Sequence, residues 1–166
     1  SPGYIRVDAD EATYPLHVIL RFELEQALIS GALAPADLPA AWNQRVVESL
    51  ALDPPDDRNG CLQDIHWYDG AFGYFPTYTL GAMAAAQLFQ AASDSIGTDD
   101  LHGALAKGDY APLTAWMRDN VHSKGRIYPS SNDLLQAATG APLSSDAFKA
   151  HIKARYLERI ERQLNH

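Results

Sequence analysis

The 166-residue chain sets 13 Lys and Arg against 21 Asp and Glu, a net charge of −8, which argues against the basic face that nucleic acid requires. Hydrophobic residues make up 46% and charged residues 20%, the balance of a domain with a real core rather than of a disordered tail. The longest nearly uncharged stretch, 71–92, is broken by Gly73, Pro76 and Gly81, so it lacks the roughly 20 apolar residues of a membrane span.

Helical spacing dominates from the start, and the expected class is all-α. Asp8 or Asp10 can cap a first helix, with Glu11 three residues past Asp8 as in a capping box. Leu16, Ile19, Leu20, Ala27 and Leu28 give it an apolar stripe, widened by Phe22 and Leu24, and Gly31 ends it. Pro15 either marks the true start or kinks the helix. A second helix follows Pro35 or Pro39, with Leu38, Trp42, Val46 and Leu50 on one face, and Pro54-Pro55 stops it. Residues 58–76 are rich in Gly, Asp and aromatics with no clean period, and read as an ordered loop or short helical turns. A small-residue helix over 77–95 comes next, then amphipathic segments near 99–107, 110–122 and 131–138, divided by Gly125, Pro129 and Gly140. A last helix from about Ser145 carries Phe148, Ile152, Tyr156 and Ile160 and leads into a polar tail.

Residues for chemistry concentrate in the irregular stretch. Buried, so polar a loop needs its groups paired, and ordered loops of this kind often carry function. Asp64 and Gln63 could equally satisfy loop amides while Trp67 fills the core. A metal site within the chain is not expected: the six histidines include no pair three or four residues apart, and no His-Glu-x-x-His or cysteine pair occurs. Nor is there a Gly-x-Ser-x-Gly elbow for a serine hydrolase. Cys61, the single cysteine, cannot form an intrachain disulfide, which fits a reducing, cytoplasmic setting, and is expected as a buried apolar side chain.

Two motifs sharpen this reading. Ile5-Arg6-Val7-Asp8-Ala9-Asp10 matches Ile-Arg-x-x-Ala-Asp, and Gly60-Cys61-Leu62-Gln63-Asp64-Ile65-His66-Trp67 matches Gly-x-x-Gln-Asp-x-His-Trp at every fixed position. In both, and in their spacing, the chain resembles the carboxypeptidase Taq family of zinc metallocarboxypeptidases. Residues 73–81, 122–128 and 139–143 resemble family segments as well, so the likeness covers essentially the whole chain. It implies the C-terminal third of a helical, saddle-shaped, zincin-type enzyme, supplying one wall of its active-site cleft. The opening Ser1-Pro2-Gly3 reads as a segment entered partway through a longer protein. The family removes single amino acids from the free C-terminus of a peptide substrate. Its Zn2+ ligands lie N-terminal to the segment matched here, so none is expected in this chain, and Co2+ is a possible substitute in the parent. Partners implied are the N-terminal part of the same enzyme and a second copy in a homodimer.

The resemblance also suggests roles. Arg6 becomes the candidate for the substrate carboxylate, through its planar fork; alternatively it forms an ion pair with Asp10 or Glu11. His66 and Tyr74 are the catalytic candidates, as donors to the oxyanion formed when the peptide carbonyl is attacked. They resemble the His and Tyr of the angiotensin-converting enzyme group, where a similar Tyr-Phe-x-x-Tyr run occurs. Tyr78 shares Tyr74's face and lines the substrate pocket or the core. Asp64 is expected to orient His66, Gln63 to support the loop, and Asp10 to cap the helix or hold Arg6. On these grounds the chain alone should be inactive and should expose an apolar face. Two competing readings are a non-enzymatic helical interaction module and a homologue that has lost zinc.

Overall fold

Asp10 caps the turn that leads into the first helix. In a computed structural model that describes residues 2–158, its Oδ1 accepts from the backbone N–H of Ala12 (3.1 Å) and Thr13 (2.8 Å) and from the Thr13 hydroxyl (3.0 Å). Asp8 instead lies in a short 3-10 turn, Arg6–Asp8. Helix α1 runs Tyr14–Ser30 with Pro15 in its first turn, where the missing N–H costs nothing, so the proline marks the start rather than a kink. Gly31 closes it in the left-handed conformation, φ 76°.

Helix α2, Leu38–Leu50, buries Trp42, Val46 and Leu50 as its four-residue spacing predicts. Against them pack Leu20 and Leu24 of α1 and Cys61, forming one core with Trp67 at its edge. Cys61 is a buried free thiol, and burial raises its pKa, so it is a poor nucleophile. Gly60 fits closely here: a Cβ there would lie 3.2 Å from the Asp56 carbonyl oxygen, tighter than usual, and 3.5 Å from Trp42, an ordinary contact.

The face of α1 that is buried differs from its expected apolar stripe. Ile19 and Phe22 are 46% and 41% exposed, while His17, Arg21 and Glu25 are buried beside Leu20 and Leu24. Those three polar residues recur every four positions and form a row along the helix. Apolar residues lie open elsewhere as well: Phe22, Ile29 and Phe72 line a cavity of about 540 Å³.

Helix α3 spans Pro76–Ile96, followed by α4 (Thr98–Ala106), α5 (Ala111–Asn120), α6 (Ser131–Thr139) and α7 (Asp146–Ile152), which passes into a π-helical turn at Lys153–Leu157. Every regular element among the described residues is helical, and none of these helices is long and apolar enough to cross a membrane. Residues through Leu80 form one compact unit and those from Gly81 a second, whose core joins Ala92, Leu101 and Trp116. In that second unit the buried Gln87 donates to Thr139 Oγ1 and the carbonyls of Ala141 and Pro142 and accepts from Ser144 N, fastening 139–144 to α3. Ile160, expected on the last helix, lies outside the described residues.

Candidate functional site

The stretch between α2 and α3 has no helix and is held by turns. Its backbone pairs locally, through Gln63 N–Gly60 O, Asp69 N–Ile65 O, Gly70 N–Trp67 O and Ala71 N–His66 O. Side chains supply the long-range ties. Gln63 Oε1 accepts from Arg6 N at 2.9 Å, and its amide nitrogen donates to the carbonyls of Tyr4, Asn59 and Gly60 at 3.0–3.1 Å. The two sequence motifs therefore meet, with Gln63 joining the backbone of one to that of the other.

Asp64 is the charged centre. Its Oδ1 accepts from Arg6 Nε (3.0 Å) and Nη2 (2.7 Å), while Oδ2 accepts from Arg21 Nε (2.7 Å) and sits 2.6 Å from Arg21 Nη2. Arg21 is fully buried, donates from Nη1 to the His17 carbonyl at 2.7 Å, and lies over the Trp42 ring. Burial pulls its pKa down to about 10 despite the neighbouring carboxylate, leaving it charged at neutral pH. For Arg6, Asp64 and Tyr14 outweigh the burial penalty and raise the pKa. Burial raises the pKa of Asp64 itself, yet the two guanidiniums prevail and hold it below the ordinary carboxylate value.

The fork expected to be open at Arg6 is partly filled. Nε and Nη2 serve Asp64 and Nη1 donates to the Tyr14 hydroxyl at 2.7 Å, three of the five N–H groups a guanidinium carries. Asp64, rather than Asp10, is the carboxylate hydrogen-bonded to it, and Asp10 serves as a cap.

His66 also departs from expectation. Asp64 Oδ1 is 3.9 Å from His66 Nδ1, too far for a hydrogen bond, because both carboxylate oxygens are engaged by arginines. The residue that touches His66 is Tyr78, whose hydroxyl lies 3.0 Å from Nε2. Below the imidazole sits the buried Phe75, at 4.4 Å between centroids. Tyr74 lies 5.7 Å from the imidazole and 5.4 Å from the Tyr78 ring, one turn away at the start of α3. Tyr74 is 48% exposed, and no protein hydrogen bond to its phenol occurs among the described residues. His66, Tyr74 and Tyr78 are thus one cluster of hydrogen-bonding groups on an aromatic floor, beside a buried ionic network.

Arg21 and Glu25 belong to this site although no motif flags them. Glu25 is buried, and its Oε1 accepts from Trp67 Nε1 at 2.6 Å while Oε2 accepts from Gly73 N at 3.0 Å. Trp67 is thereby both packing, edge-on to Trp42, and anchor. Only the four-residue recurrence of His17, Arg21 and Glu25 on a helix otherwise bearing leucines could have signalled them.

His17 gives the region a pH signature. Burial first, then the Arg21 charge, lowers its pKa from an ordinary 6.5 to about 4. The unfolded chain takes up this proton below pH 6.5 and the folded protein does not until about pH 4. Stability should therefore fall as pH drops from 6.5 to 4, by about 1–3 kcal/mol once solvent screening is allowed for, then level off in this contribution. Urea midpoints at pH 7 and pH 4.5 should show that loss, and a His17→Phe variant should lack most of it.

Among the described residues no group of three or more His, Cys, Asp or Glu is placed to hold a metal ion, so the zinc implied by the sequence resemblance does not fit on these residues. Residues 1–156 match the family model of the carboxypeptidase Taq (M32) metallopeptidases. The chain is 44% identical, over 93% of its length, to thermostable carboxypeptidase 1 of Thermus thermophilus. It superposes with metallocarboxypeptidase 1 of Trypanosoma cruzi (TM-score 0.90, 41% identity, 94% of this chain). The M32 carboxypeptidase of Deinococcus radiodurans R1 is similarly close (TM-score 0.90, 40% identity, 95% of this chain). The chain belongs to the carboxypeptidase Taq (M32) metallopeptidase family. It spans 30–32% of the length of these relatives.

Proposed function

We propose that this chain is the C-terminal third of a zinc metallocarboxypeptidase releasing single amino acids from free peptide C-termini, and that it is inactive alone. The observation that carries the reading is the convergence of His66, Tyr74 and Tyr78 on a loop pinned by the partly buried Asp64. In this reading Tyr74 donates its phenolic proton, in a hydrogen bond, to the oxygen that gains charge when the peptide carbonyl is attacked. His66 adds an N–H donor from Nε2, the nitrogen that meets the Tyr78 hydroxyl in the unliganded protein and must release it, since Nδ1 is buried. Such donors act best when their positions are set beforehand, which is what the Asp64 network and the Phe75 floor provide. Arg6 meets the substrate carboxylate with its two remaining N–H groups, its plane already held by Asp64 and Tyr14. The metal and its ligands belong to the other part of the enzyme.

The test is amino-acid release by a full-length enzyme containing this segment, on a peptide with a free C-terminus beside its C-terminal amide. Release from the free acid alone, with Arg6→Lys raising KM for it about tenfold or more, is the expected result. Equal cleavage of both peptides, or internal cleavage, would contradict the carboxypeptidase reading.

A further inference from the structure

We infer that Glu25 is a positioning residue for the two proposed oxyanion donors, acting through the chain neighbours that lie between them, the indole of Trp67 and the backbone of Gly73; this rests on the function proposed above. Each oxygen of this buried carboxylate holds the chain neighbour of one donor. Oε1 binds the indole N–H of Trp67, which follows His66, and Oε2 binds the N–H of Gly73, which precedes Tyr74. Between those points the chain makes a tight excursion, closed by Ala71 N–His66 O at 2.8 Å and turning at Gly70 and Gly73, both at positive φ. At the exit of this loop Glu25 fixes the Gly73 N–H directly, beside the buried Phe75. It does so from a helix, a rigid support, 42 residues from Trp67 and 48 from Gly73 in sequence. Because both oxygens face N–H donors, a carboxylate fits and a carboxamide does not: one of the two bonds would become donor against donor.

Glu25→Gln in the full-length enzyme, which keeps size and shape, separates this role from simple packing. The expected result is a kcat lowered about 10- to 100-fold, the cost of misplacing a donor by about 1 Å, with KM within about twofold. In a Tyr74→Phe background the same change should cost markedly less, since one of the two donors it positions is gone and only His66 remains. Trp67→Phe, which removes the Oε1 partner together with part of the packing on Trp42 and Phe75, should lower kcat in the same direction. Equal losses from Glu25→Gln in both backgrounds, or a matched fall in kcat and in the fraction folded, would overturn the inference. A Tyr74→Phe enzyme as fast as wild type would instead overturn the proposed function beneath it. Slow Tyr74→Phe with undamaged Glu25→Gln would overturn the Glu25 role alone.

Discussion

Replacing Asp64 with Asn should destabilise the protein by about 3–5 kcal/mol, the range for breaking a buried ionic cluster by removing one partner. Two guanidiniums share this carboxylate, one fully buried and the other nearly so. An Asn carbonyl can accept from one arginine, while its NH2 group points at the donors of the other. Both positive charges would then stay inside without a counter-ion. Arg21→Met should cost less, because it leaves Asp64 and Arg6 as a neutral pair and puts an apolar chain where Arg21 lies over Trp42. Urea denaturation followed by tryptophan emission gives the order directly, and an Asp64→Asn protein as stable as Arg21→Met would refute the shared counter-ion. The carboxyl pKa is held below 3.8 in the fold. This contribution is therefore complete above that value and is lost as pH falls through the lowered folded pKa, a window more acidic than that of His17.

Tyr74→Phe carries the largest expected effect on rate. Its phenol is half exposed and makes no protein hydrogen bond among the described residues, so stability should change by no more than about 0.5 kcal/mol. If that phenol donates to the developing oxyanion, kcat of the full-length enzyme should fall about 100- to 1,000-fold. A residue that only lined the pocket would raise KM and spare kcat. The contrast between an intact fold and a large kcat loss is what distinguishes a donor from a packing aromatic.

How much of this was legible in the sequence depended on the range of the interaction. Trp42, Val46 and Leu50 declared α2 because helix burial repeats locally, and Gly31 declared the end of α1 because backbone conformation is a property of single residues, whereas Pro15 left start or kink open. The irregular run 58–76, read as an ordered loop or short helical turns, is a turn-built loop up to Phe75, with Pro76 opening α3, and its motif gathered Gln63, Asp64 and His66. Which partner each takes was not legible. Asp64 lies two residues from His66 and was expected to orient it, yet Arg6 and Arg21, 58 and 43 residues away, claim both oxygens. Glu25 and Arg21 escaped for the same reason: on α1 they look like a solvated face, and only the loop folded over them makes that face the buried one. Ile19 and Phe22, assigned to the core by their apolar character, are exposed in exchange.

The most direct measurement is a crystal structure of a full-length enzyme carrying this segment, bound to a peptide analogue with a tetrahedral phosphinate in place of the scissile carbonyl. The Tyr74 hydroxyl and a His66 ring nitrogen are expected about 2.7–3.1 Å from one phosphinate oxygen, with the terminal carboxylate at Arg6. An analogue bound with that oxygen facing other side chains, and Tyr74 and His66 beyond hydrogen-bond reach, would contradict the assignment of this loop as the oxyanion-binding face.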